Sequence, residues 1–420
     1  MKILVLNAGS SSQKSCLYAL TGDALPDQPL EPLWSAQIDW THQQDVAELK
    51  VKTAQGVVLE DQLPSASRSD LTSQMLLTLW SGRTQVLEQP QEIDVVGHRV
   101  VHGGQEYRSS TLVTPEVKAA IADLAALAPA HNPANLEGIE AIEQILGTEV
   151  PQVAVFDTAF HAQLPLPAAI YPGPYEWFEQ GIRRYGFHGI SHQYCAQRAA
   201  QILSRELKEL RLITCHLGNG CSLAAIRNGH SVDTTMGFTP LDGLMMGSRS
   251  GSVDPGILIY LMRQQGYTAD QLDQMLNRAS GLKGISGVSA DMRQIVAAIA
   301  QDNSRAQLAQ DIYVHRLRSC IGAMLASSGG LDALVFTAGV GENSALVRAA
   351  ACEAFGFLGL KLDPEKNTSS PDDRDIAAAD STVRVLVIHT QEDWAIALDC
   401  WHLLIPKQLE KGRTKNRDLL

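Results

Sequence analysis

The segment ILVLNAGSSSQKS, residues 3–15, decides the fold class of this chain. Its apolar start predicts a buried strand, and the glycine and serines after it predict a tight turn with exposed backbone N–H groups. A second segment, LITCHLGNGCSLA at residues 212–224, repeats the order of strand, small polar turn, serine and apolar residues. The repetition indicates two halves built on one plan, with two turns that grip a phosphate chain. Strands also end in glycine and serine where no ligand binds, so these segments alone leave that alternative open.

A third glycine-rich loop, FTAGVGENS at residues 336–344, follows an apolar run and precedes a helical pattern. A helix N-terminus after a glycine turn binds anions, because its backbone N–H groups and helix dipole point outward. The loop lacks the glycine spacing of a dinucleotide-binding fingerprint, and no GxxxxGK[ST] motif occurs in the chain. The three loops together predict a nucleotide held in a cleft between two domains.

Composition sets the class of protein. With 420 residues, of which 45% are hydrophobic and 19% charged, the chain is expected to form a globular protein of two domains. A net charge of −12 argues against nonspecific binding to nucleic acid or anionic membranes. Seven scattered cysteines without a CxxC pair fit a reducing compartment. No leader segment and no apolar run of about 18 residues is found, so we expect a cytoplasmic protein.

Apolar runs alternate with helical patterns along the chain, which is typical of α/β proteins. Strands are predicted at residues 3–6, 95–101, 153–156, 211–217, 334–337 and 383–388. Helices are predicted at residues 115–127, 134–146, 191–210, 255–264, 305–327 and 343–354.

Several motifs set a cation or an imidazole among glycines. Arg99 lies in GHRVVHGG, His131 in APAHNPAN, Asp157 directly after a strand, His188 in RRYGFHGISH and Arg249 in MMGSRSGS. A single histidine or arginine is more often a surface or core group than a catalytic one. Repeated neighbouring glycines, which let the backbone approach a ligand closely, indicate a binding site instead.

These motifs resemble the acetate, propionate and butyrate kinase family, within the actin, Hsp70 and sugar-kinase superfamily. The resemblance extends over nearly the whole chain, through LNAGSSSQK, HRVVHGG, HNPAN, FDTAFH, RRYGFHGISH, HLGNG, DTTMGFTPLDGLMMGSRSG, SGLKGISG, FTAGVGENS and HTQEDWAIA. It implies a two-domain actin-like ATPase fold of duplicated ribonuclease-H-like domains with a nucleotide cleft between them. The N-terminal domain would comprise residues 1–155 with 390–420, and the C-terminal domain residues 156–389.

The resemblance also implies an activity. It is reversible, Mg²⁺-dependent transfer of the ATP γ-phosphoryl group to acetate, giving acetyl phosphate and ADP, with Mn²⁺ as an alternative metal. The partners implied are these small molecules and a second copy of the chain in a homodimer, without nucleic acid or membrane.

The family's functional residues map onto this sequence by motif. The catalytic group would be Arg99, Asp157, His188 and Arg249. The acyl substrate would contact Arg99, Val101, Ala130, His131, Phe187 and Pro240. The nucleotide would contact Lys14, His216, Leu217, Gly218, Asn219, Gly220, Asp291, Met292, Arg293, Gly339, Val340, Gly341, Glu342 and Asn343. The metal would be held by Asn7 and Glu392.

Physical chemistry explains why these residue types suit the reaction. A carboxylate that attacks a phosphoryl group brings two anions together, so positioning and charge neutralisation carry the catalysis. Arginines clamp both anions with paired hydrogen bonds. Acetate is already ionised at pH 7, so no strong base is needed, and Asp157 is interpreted as the orienting partner of an arginine. Direct in-line transfer is preferred over a phosphoenzyme on Asp157, which remains the alternative.

The sequence departs from the family pattern in two places that matter. Ala130 stands where leucine is common, which leaves room for propionate, so a propionate or butyrate kinase is the alternative. The end loop HTQEDWA differs at Gln391, Asp393 and Trp394, so Glu392 is assigned to the metal by alignment and Asp393 is expected to point elsewhere. Ser252 also replaces a common acidic residue, with no consequence that we can state.

An actin-like or Hsp70-like ATPase is the alternative from another class. It would share the three glycine loops, but it has no use for two arginines and a histidine around an acyl site. Hydroxamate formation from short carboxylic acids separates the two classes.

Overall fold

The computed structural model describes residues 1–9, 12–21, 25–26, 28–43, 46–64, 66–129, 131–369 and 373–415. The chain divides into two compact units, one of Met1–Ala159 with Gln391–Leu420 and the other of Phe160–Thr390. None of the helices in the described residues is both long and apolar enough to cross a membrane.

Both units are built on β-sheets. In chain order the strands are β1 Lys2–Ala8, β2 Ser12–Ala19, β3 Trp34–Gln43, β4 Val46–Thr53, β5 Val58–Pro64, β6 Val95–Val100, β7 Thr111–Leu112, β8 Gln152–Phe156, β9 Arg211–Leu217, β10 Cys221–Arg227, β11 His230–Thr234, β12 Ala333–Thr337, β13 Arg374–Asp375 and β14 Arg384–Val387.

Helices pack against these sheets. In chain order they are α1 Arg68–Leu77, α2 Pro115–Asp123, α3 Asn132–Leu146, α4 Leu166–Ala169, α5 Tyr175–Glu179, α6 Gly189–Ile202, α7 Pro255–Gln265, α8 Ala269–Arg278, α9 Gly281–Ser286, α10 Met292–Ile299, α11 Ser304–Ser328, α12 Ala338–Asn343, α13 Ala345–Glu353, α14 Pro364–Thr368 and α15 Glu392–Lys415.

The two sheets repeat one topology. Among the described residues, the first unit has an eight-stranded sheet in the order β5-β4-β3-β2-β1-β6-β8-β7, and the second a six-stranded sheet in the order β11-β10-β9-β12-β14-β13. In the first sheet β1 pairs antiparallel with β2 and parallel with β6, which pairs parallel with β8. In the second, β9 pairs antiparallel with β10 and parallel with β12, which pairs parallel with β14. The two halves predicted from the repeated segments are therefore confirmed.

The central strands are buried along their length. Ile3, Leu4, Val5 and Leu6 of β1 are at most 2% exposed, as expected where both faces of a parallel sheet are covered. The antiparallel strand β4 instead alternates buried and more exposed residues, which is typical of a sheet with one covered face. The predicted strands missed β2, β3, β4 and β5. Apolar residues alternate with polar ones in β3 and β4, β2 begins with the polar residues SQKS, and β5 is mostly polar and exposed.

One predicted helix is too long. The pattern at residues 191–210 predicts a single helix, but α6 ends at Ile202. Ser204 follows with a φ of 50°, a left-handed conformation that a helix cannot continue through. A separate 3₁₀ turn at Leu207–Glu209 then leads into β9.

A glycine lets α15 pack against β6, and its substitution tests that contact. A Cβ atom on Gly97 would lie 2.6 Å from both Cys400 Sγ and Ile396 Cγ2. Because overpacking a filled core is destabilising, we expect Gly97→Ala to lower the free energy of unfolding by about 1–3 kcal/mol. Urea denaturation measures the change.

Gly138→Ala is the matched control for this substitution. Gly138 lies inside α3, and a Cβ atom there would meet nothing within 4 Å. Alanine should therefore stabilise that helix by about 0.5–1 kcal/mol. A Gly97→Ala variant as stable as the wild type would contradict the packing argument.

Candidate functional site

The predicted site residues fall into two groups, one in each unit, and each group is described by itself. In the first unit, Arg99 and Asp157 come from neighbouring parallel strands: Arg99 lies in β6, and Asp157 directly follows β8. Arg99 Nη2 donates to Asp157 Oδ2 at 2.8 Å, and the Asp157 side chain is 1% exposed. Burial opposes the charged form of Arg99, but Asp157, Glu392 and Asp393 raise its pKa. The guanidinium is therefore held as a buried cation in a fixed orientation.

The end of β1 contacts the start of α15. Asn7 Nδ2 donates to Asp393 Oδ1 at 2.9 Å and to Glu392 Oε2 at 3.4 Å. Cys16 Sγ lies 3.7 Å from Asp393 Oδ2. The expectation that Asp393 points elsewhere is wrong. Trp394 is 3% exposed and packs edge-on against Tyr18, and successive helical side chains are about 100° apart, so burying Trp394 turns Asp393 toward Asn7.

These side chains suit a magnesium ion chemically. Mg²⁺ prefers oxygen ligands and uses one or two protein carboxylates beside waters and phosphates. Asn7, Glu392 and Asp393 supply an amide and two carboxylates within one cluster. Within the described ranges, no group of three or more histidine, cysteine, aspartate or glutamate side chains is arranged to hold a metal by itself. The residues therefore fit an ion that takes few protein ligands.

Two asparagines fix the backbone that follows Arg99. Asn135 Oδ1 accepts the Val101 N–H, and Asn132 Oδ1 accepts the His102 N–H, both at 3.1 Å. Asn132 and Asn135 are three residues apart on α3 and almost completely buried. His131 immediately precedes this helix. Our sequence analysis missed the role of Asn135; the sequence signal is the pair of asparagines three residues apart in HNPAN, but the predicted helix of residues 134–146 leaves Asn132 outside it.

Two further predicted site residues of the first unit are Lys14 and Ala130. Lys14 lies opposite Asn7 in the β1–β2 hairpin, with an exposed side chain. Ala130, on which the acyl-size argument rests, lies outside the described residues.

In the second unit, two predicted catalytic side chains converge on one glycine. A Cβ atom on Gly220 would lie 3.4 Å from Arg249 Nη1 and 3.5 Å from His188 Nε2. Arg249 Nη1 also donates to the backbone carbonyl of Pro240 at 3.0 Å. Burial lowers the pKa of Arg249, although a guanidinium remains charged at neutral pH. Gly220 therefore keeps the space between a cation and an imidazole open.

Ring stacking and a hydrogen bond hold His188. It precedes α6 with a left-handed φ of 56°. Its ring stacks on that of His216, with centroids 4.1 Å apart and planes 17° apart. His188 Nδ1 is 2.9 Å from Ser222 Oγ, and His216 Nδ1 is 2.8 Å from Ser191 Oγ. Both serines escaped our sequence analysis, because a serine inside a strand or helix carries no signal of its partner.

A cavity of about 1040 Å³ lies beside these groups in the second unit. Eight of the predicted nucleotide residues line it: Gly218, Asn219, Asp291, Met292, Arg293, Gly339, Val340 and Asn343. The further lining residues are Ser289, Ala290, Val296, Ser344, Ala345 and Leu346. The cavity thus joins the turn after β9, the start of α10 and α12, a short helix that follows β12 directly where the sequence predicts a glycine loop.

Glu342 has a structural role in α12. Its carboxylate accepts the N–H groups of Ala338 at 2.8 Å and Thr390 at 3.0 Å, and lies 2.5 Å from His389 Nδ1. Burial opposes its ionisation, but these hydrogen bonds lower its pKa. Two other predicted residues, Leu217 and Phe187, are at most 2% exposed and act through packing.

The chain is similar to known proteins over nearly its whole length. The Acetokinase family model matches residues 2–398. The chain belongs to the acetokinase family. A relative from Nostoc sp., an acetate kinase, is 70% identical over 404 residues, which cover 96% of this chain and all of the relative.

Solved structures of the acetokinase family give the fold. The Porphyromonas gingivalis acetate kinase superposes with a TM-score of 0.88 at 40% identity, covering 96% of this chain and 99% of that one. A propionate kinase from Francisella tularensis gives a TM-score of 0.85 at 38% identity, covering 95% and 98%. The chain has the two-domain actin-like ATPase fold that the resemblance implied.

Proposed function

We propose that the chain is an acetate kinase that transfers the γ-phosphoryl group of ATP reversibly to acetate, giving acetyl phosphate and ADP. The observation that carries the proposal is the turn of residues 218–220. Gly218 and Asn219 line the large cavity, and Gly220 lies against Arg249 and His188. A nucleotide in the cavity would run its phosphates along this turn toward the cation and the imidazole.

The chemistry of these groups fits phosphoryl transfer to a carboxylate. Arg249 neutralises the charge that spreads over the equatorial oxygens, and His188 donates a hydrogen bond to them. Arg99 binds the acetate carboxylate, which is ionised at neutral pH and needs no base. Asp157 orients Arg99 through the 2.8 Å hydrogen bond. Because that carboxylate is 1% exposed and bound to Arg99, we favour direct in-line transfer over a phosphoenzyme on Asp157.

The cavity suits the nucleoside of ATP or ADP. Met292, Val296 and Leu346 give it apolar walls for a base, while Asp291 and Arg293 supply polar groups at its edge. Ligand pockets combine a mostly apolar lining with a few polar groups in this way.

We further propose that Asn7 and Glu392 hold Mg²⁺, directly or through water, with Mn²⁺ as an alternative. When bound, the ion neutralises charge on the nucleotide phosphates. The contact of Asn7 with Asp393 at 2.9 Å adds Asp393 to this group as the residue that orients the Asn7 amide. We also propose a cytoplasmic location, because the seven cysteines are all free thiols.

Propionate kinase activity is the second candidate function. The similarity to the Francisella tularensis propionate kinase and the alanine at position 130 both favour it. Val101, Phe187 and Pro240 are the apolar neighbours that we assign to the methyl group, and an additional methylene in such a pocket is worth about 1–3 kcal/mol.

An exposed apolar helix supports a homodimer. None of the residues of α7 is buried, and Ile257, Ile259, Tyr260 and Met262 are each about half exposed, at 48%, 49%, 58% and 48%. Contiguous apolar surface of this kind marks an interaction site. We assign α7 to the contact with a second copy of the chain, in line with the homodimer that the family resemblance implies.

Hydroxamate formation from ATP, Mg²⁺ and acetate tests the proposed reaction. The wild type should form acetyl phosphate, and Arg99→Ala and Arg249→Ala should each lower turnover by about 100-fold or more, because each removes charge facing the reacting groups. ATP binding, measured by calorimetry, should stay close to that of the wild type.

Arg227→Ala is the control. Arg227 is an exposed arginine at the C-terminal end of β10, whereas Gly220 and the site lie at its N-terminal end. Normal turnover in either site variant would remove that arginine from the mechanism. Faster reaction with propionate than with acetate would favour the second candidate, and ATP hydrolysis that is indifferent to short acids would favour an actin-like ATPase.

Magnesium titration tests the Asn7 cluster. Glu392→Gln and Asp393→Asn should each raise the Mg²⁺ concentration for half-maximal activity by about 10-fold or more, since groups around a metal commonly change its affinity by that factor. Asp399→Asn is the control, because Asp399 is a buried carboxylate on the same helix that accepts from Ser110. Lost thermal stability with unchanged magnesium dependence in Glu392→Gln would show that Glu392 only caps α15.

Light scattering tests the dimer. The double variant Ile257→Glu, Tyr260→Glu places two charges on α7 and should elute as a monomer, because burying unpaired charges in an apolar interface is unfavourable. Leu77→Glu, at a 51% exposed leucine of the first unit, should leave the mass unchanged. A monomeric wild type would contradict the assignment.

A further inference from the structure

One buried serine hydroxyl in the second unit lies between two imidazoles. Ser222 Oγ is 2.9 Å from His188 Nδ1 and 2.7 Å from His192 Nε2. Ser222 lies in β10 and is completely buried. His188 and His192 are one helical turn apart, at the residue before α6 and in its first turn, so both rings reach the strand from the same side.

The second imidazole continues this chain of hydrogen bonds to another strand. His192 Nδ1 is 2.7 Å from Thr214 Oγ1 in β9. Burial holds the pKa of His192 well below its ordinary value, so the ring is neutral at physiological pH. A neutral imidazole has one N–H donor and one acceptor nitrogen. His192 therefore donates to one of the two hydroxyls and accepts from the other.

The single proton of Ser222 couples the two rings. A serine hydroxyl donates one hydrogen bond and accepts others. If His192 Nε2–H donates to Ser222, the Ser222 O–H donates to His188 Nδ1. A neutral His188 then carries its proton on Nε2, the nitrogen that faces Gly220 near Arg249. Without the Ser222 hydroxyl, this series of hydrogen bonds no longer selects that tautomer.

We propose that Ser222 and His192 are positioning residues that fix the ring orientation of His188 and keep its proton on Nε2, directed at the transferring phosphoryl group. The inference rests on the proposed function, which gives His188 its substrate. The stacked His216 ring can hold the plane of His188, but stacking does not distinguish one ring nitrogen from the other. The hydrogen-bonded chain supplies that distinction when Thr214 Oγ1 donates to His192 Nδ1, and this direction is part of the proposal.

The same unit contains a matched pair that does not involve His188. Ser231 is also completely buried, and its Oγ is 2.8 Å from His161 Nδ1. His161 Nε2 is 3.2 Å from the backbone carbonyl of Phe187. Ser231→Ala thus removes a buried hydroxyl from a histidine, as Ser222→Ala does, but leaves every hydrogen bond of the chain from Thr214 to His188 in place. The His161 ring packs edge-on against His192, so the control also reports any effect of that ring contact.

Nitrogen-15 NMR of the histidine rings tests the tautomer in the protein without substrates. The His188 signals are identified by their loss in His188→Asn. In the wild type at neutral pH, Nε2 should carry the proton. In Ser222→Ala the Nδ1 signal should shift and the tautomers should mix, whereas Ser231→Ala should leave the His188 signals in place.

Steady-state kinetics test the consequence. Ser222→Ala should lower kcat by about 10- to 100-fold, the loss typical of a catalytic group that is misplaced slightly. The KM values for ATP and acetate should change less than about threefold, because the lost interaction acts in the transition state. His192→Gln keeps an amide donor for Ser222 and should retain more activity than His192→Leu. Thermal melting should show Ser222→Ala and Ser231→Ala to be similarly stable.

The outcomes separate this inference from the proposed function. An unchanged His188 spectrum in Ser222→Ala overturns the inference even if the enzyme is an acetate kinase. A kcat loss that Ser231→Ala shares, or equal activity of His192→Gln and His192→Leu, also overturns it. A wild type that forms no acetyl phosphate refutes the proposed function instead, while the spectra still decide whether Ser222 and His192 set the tautomer.

Discussion

The parallel pairing of β1 with β6 and β8, and of β9 with β12 and β14, is the constraint on which the candidate site depends. Parallel strands end at the same edge of a sheet, so groups that follow each strand emerge together. In the first unit this edge carries Asn7, Arg99 and Asp157, from the ends of successive strands. In the second unit the corresponding edge carries the turn of residues 218–220 and the helix α12 after β12, which line one cavity. One repeated topology therefore supplies two sets of polar groups.

Several polar groups of the candidate site are buried, and hydrogen bonds offset the free-energy cost of burying them. A buried polar group without a partner destabilises a protein by roughly 1–3 kcal/mol. Asn132 and Asn135 satisfy backbone N–H groups after β6, and Ser191 and Ser222 bind the imidazoles of His216 and His188. These contacts also fix the side chains, so stability and preorganisation come from the same bonds.

The sequence predicts the part of this structure that local pattern determines. Residues 3–6, 211–217 and 334–337 are mostly apolar runs that the sequence shows without knowledge of their partners, and the repeated segment indicates the duplicated sheet. The glycines after residues 334–337 predicted a loop, but they form α12 instead. Strands β3 and β4 were missed because alternating residues indicate a strand only when the face they cover is known. Strands β2 and β5 were missed because their polar residues form no apolar run, and only pairing with β1 and β4 makes them strands. The position of Asp393 was predicted wrongly, since it depends on how Trp394 packs against Tyr18. Ser222 was invisible for the same reason: its partners lie 30 and 34 residues away.

Part of the backbone strain in the second unit lies at the candidate site. Within the described residues, five non-glycine residues have a positive φ, and two of them, His188 and Ala338, belong to the candidate site. Such conformations cost about 1–3 kcal/mol each and persist where several surrounding contacts hold the residue in place. The Glu342 carboxylate holds the Ala338 N–H, and Ser222 with the His216 ring holds His188. Glu342 holds Ala338 from within the same helix, whereas Ser222 and His216 hold His188 from the neighbouring strands β10 and β9. Both strained residues are therefore fixed by buried partners before any ligand arrives. The strain energy of His188 and Ala338 is therefore supplied by folding, and substrate binding does not have to provide it.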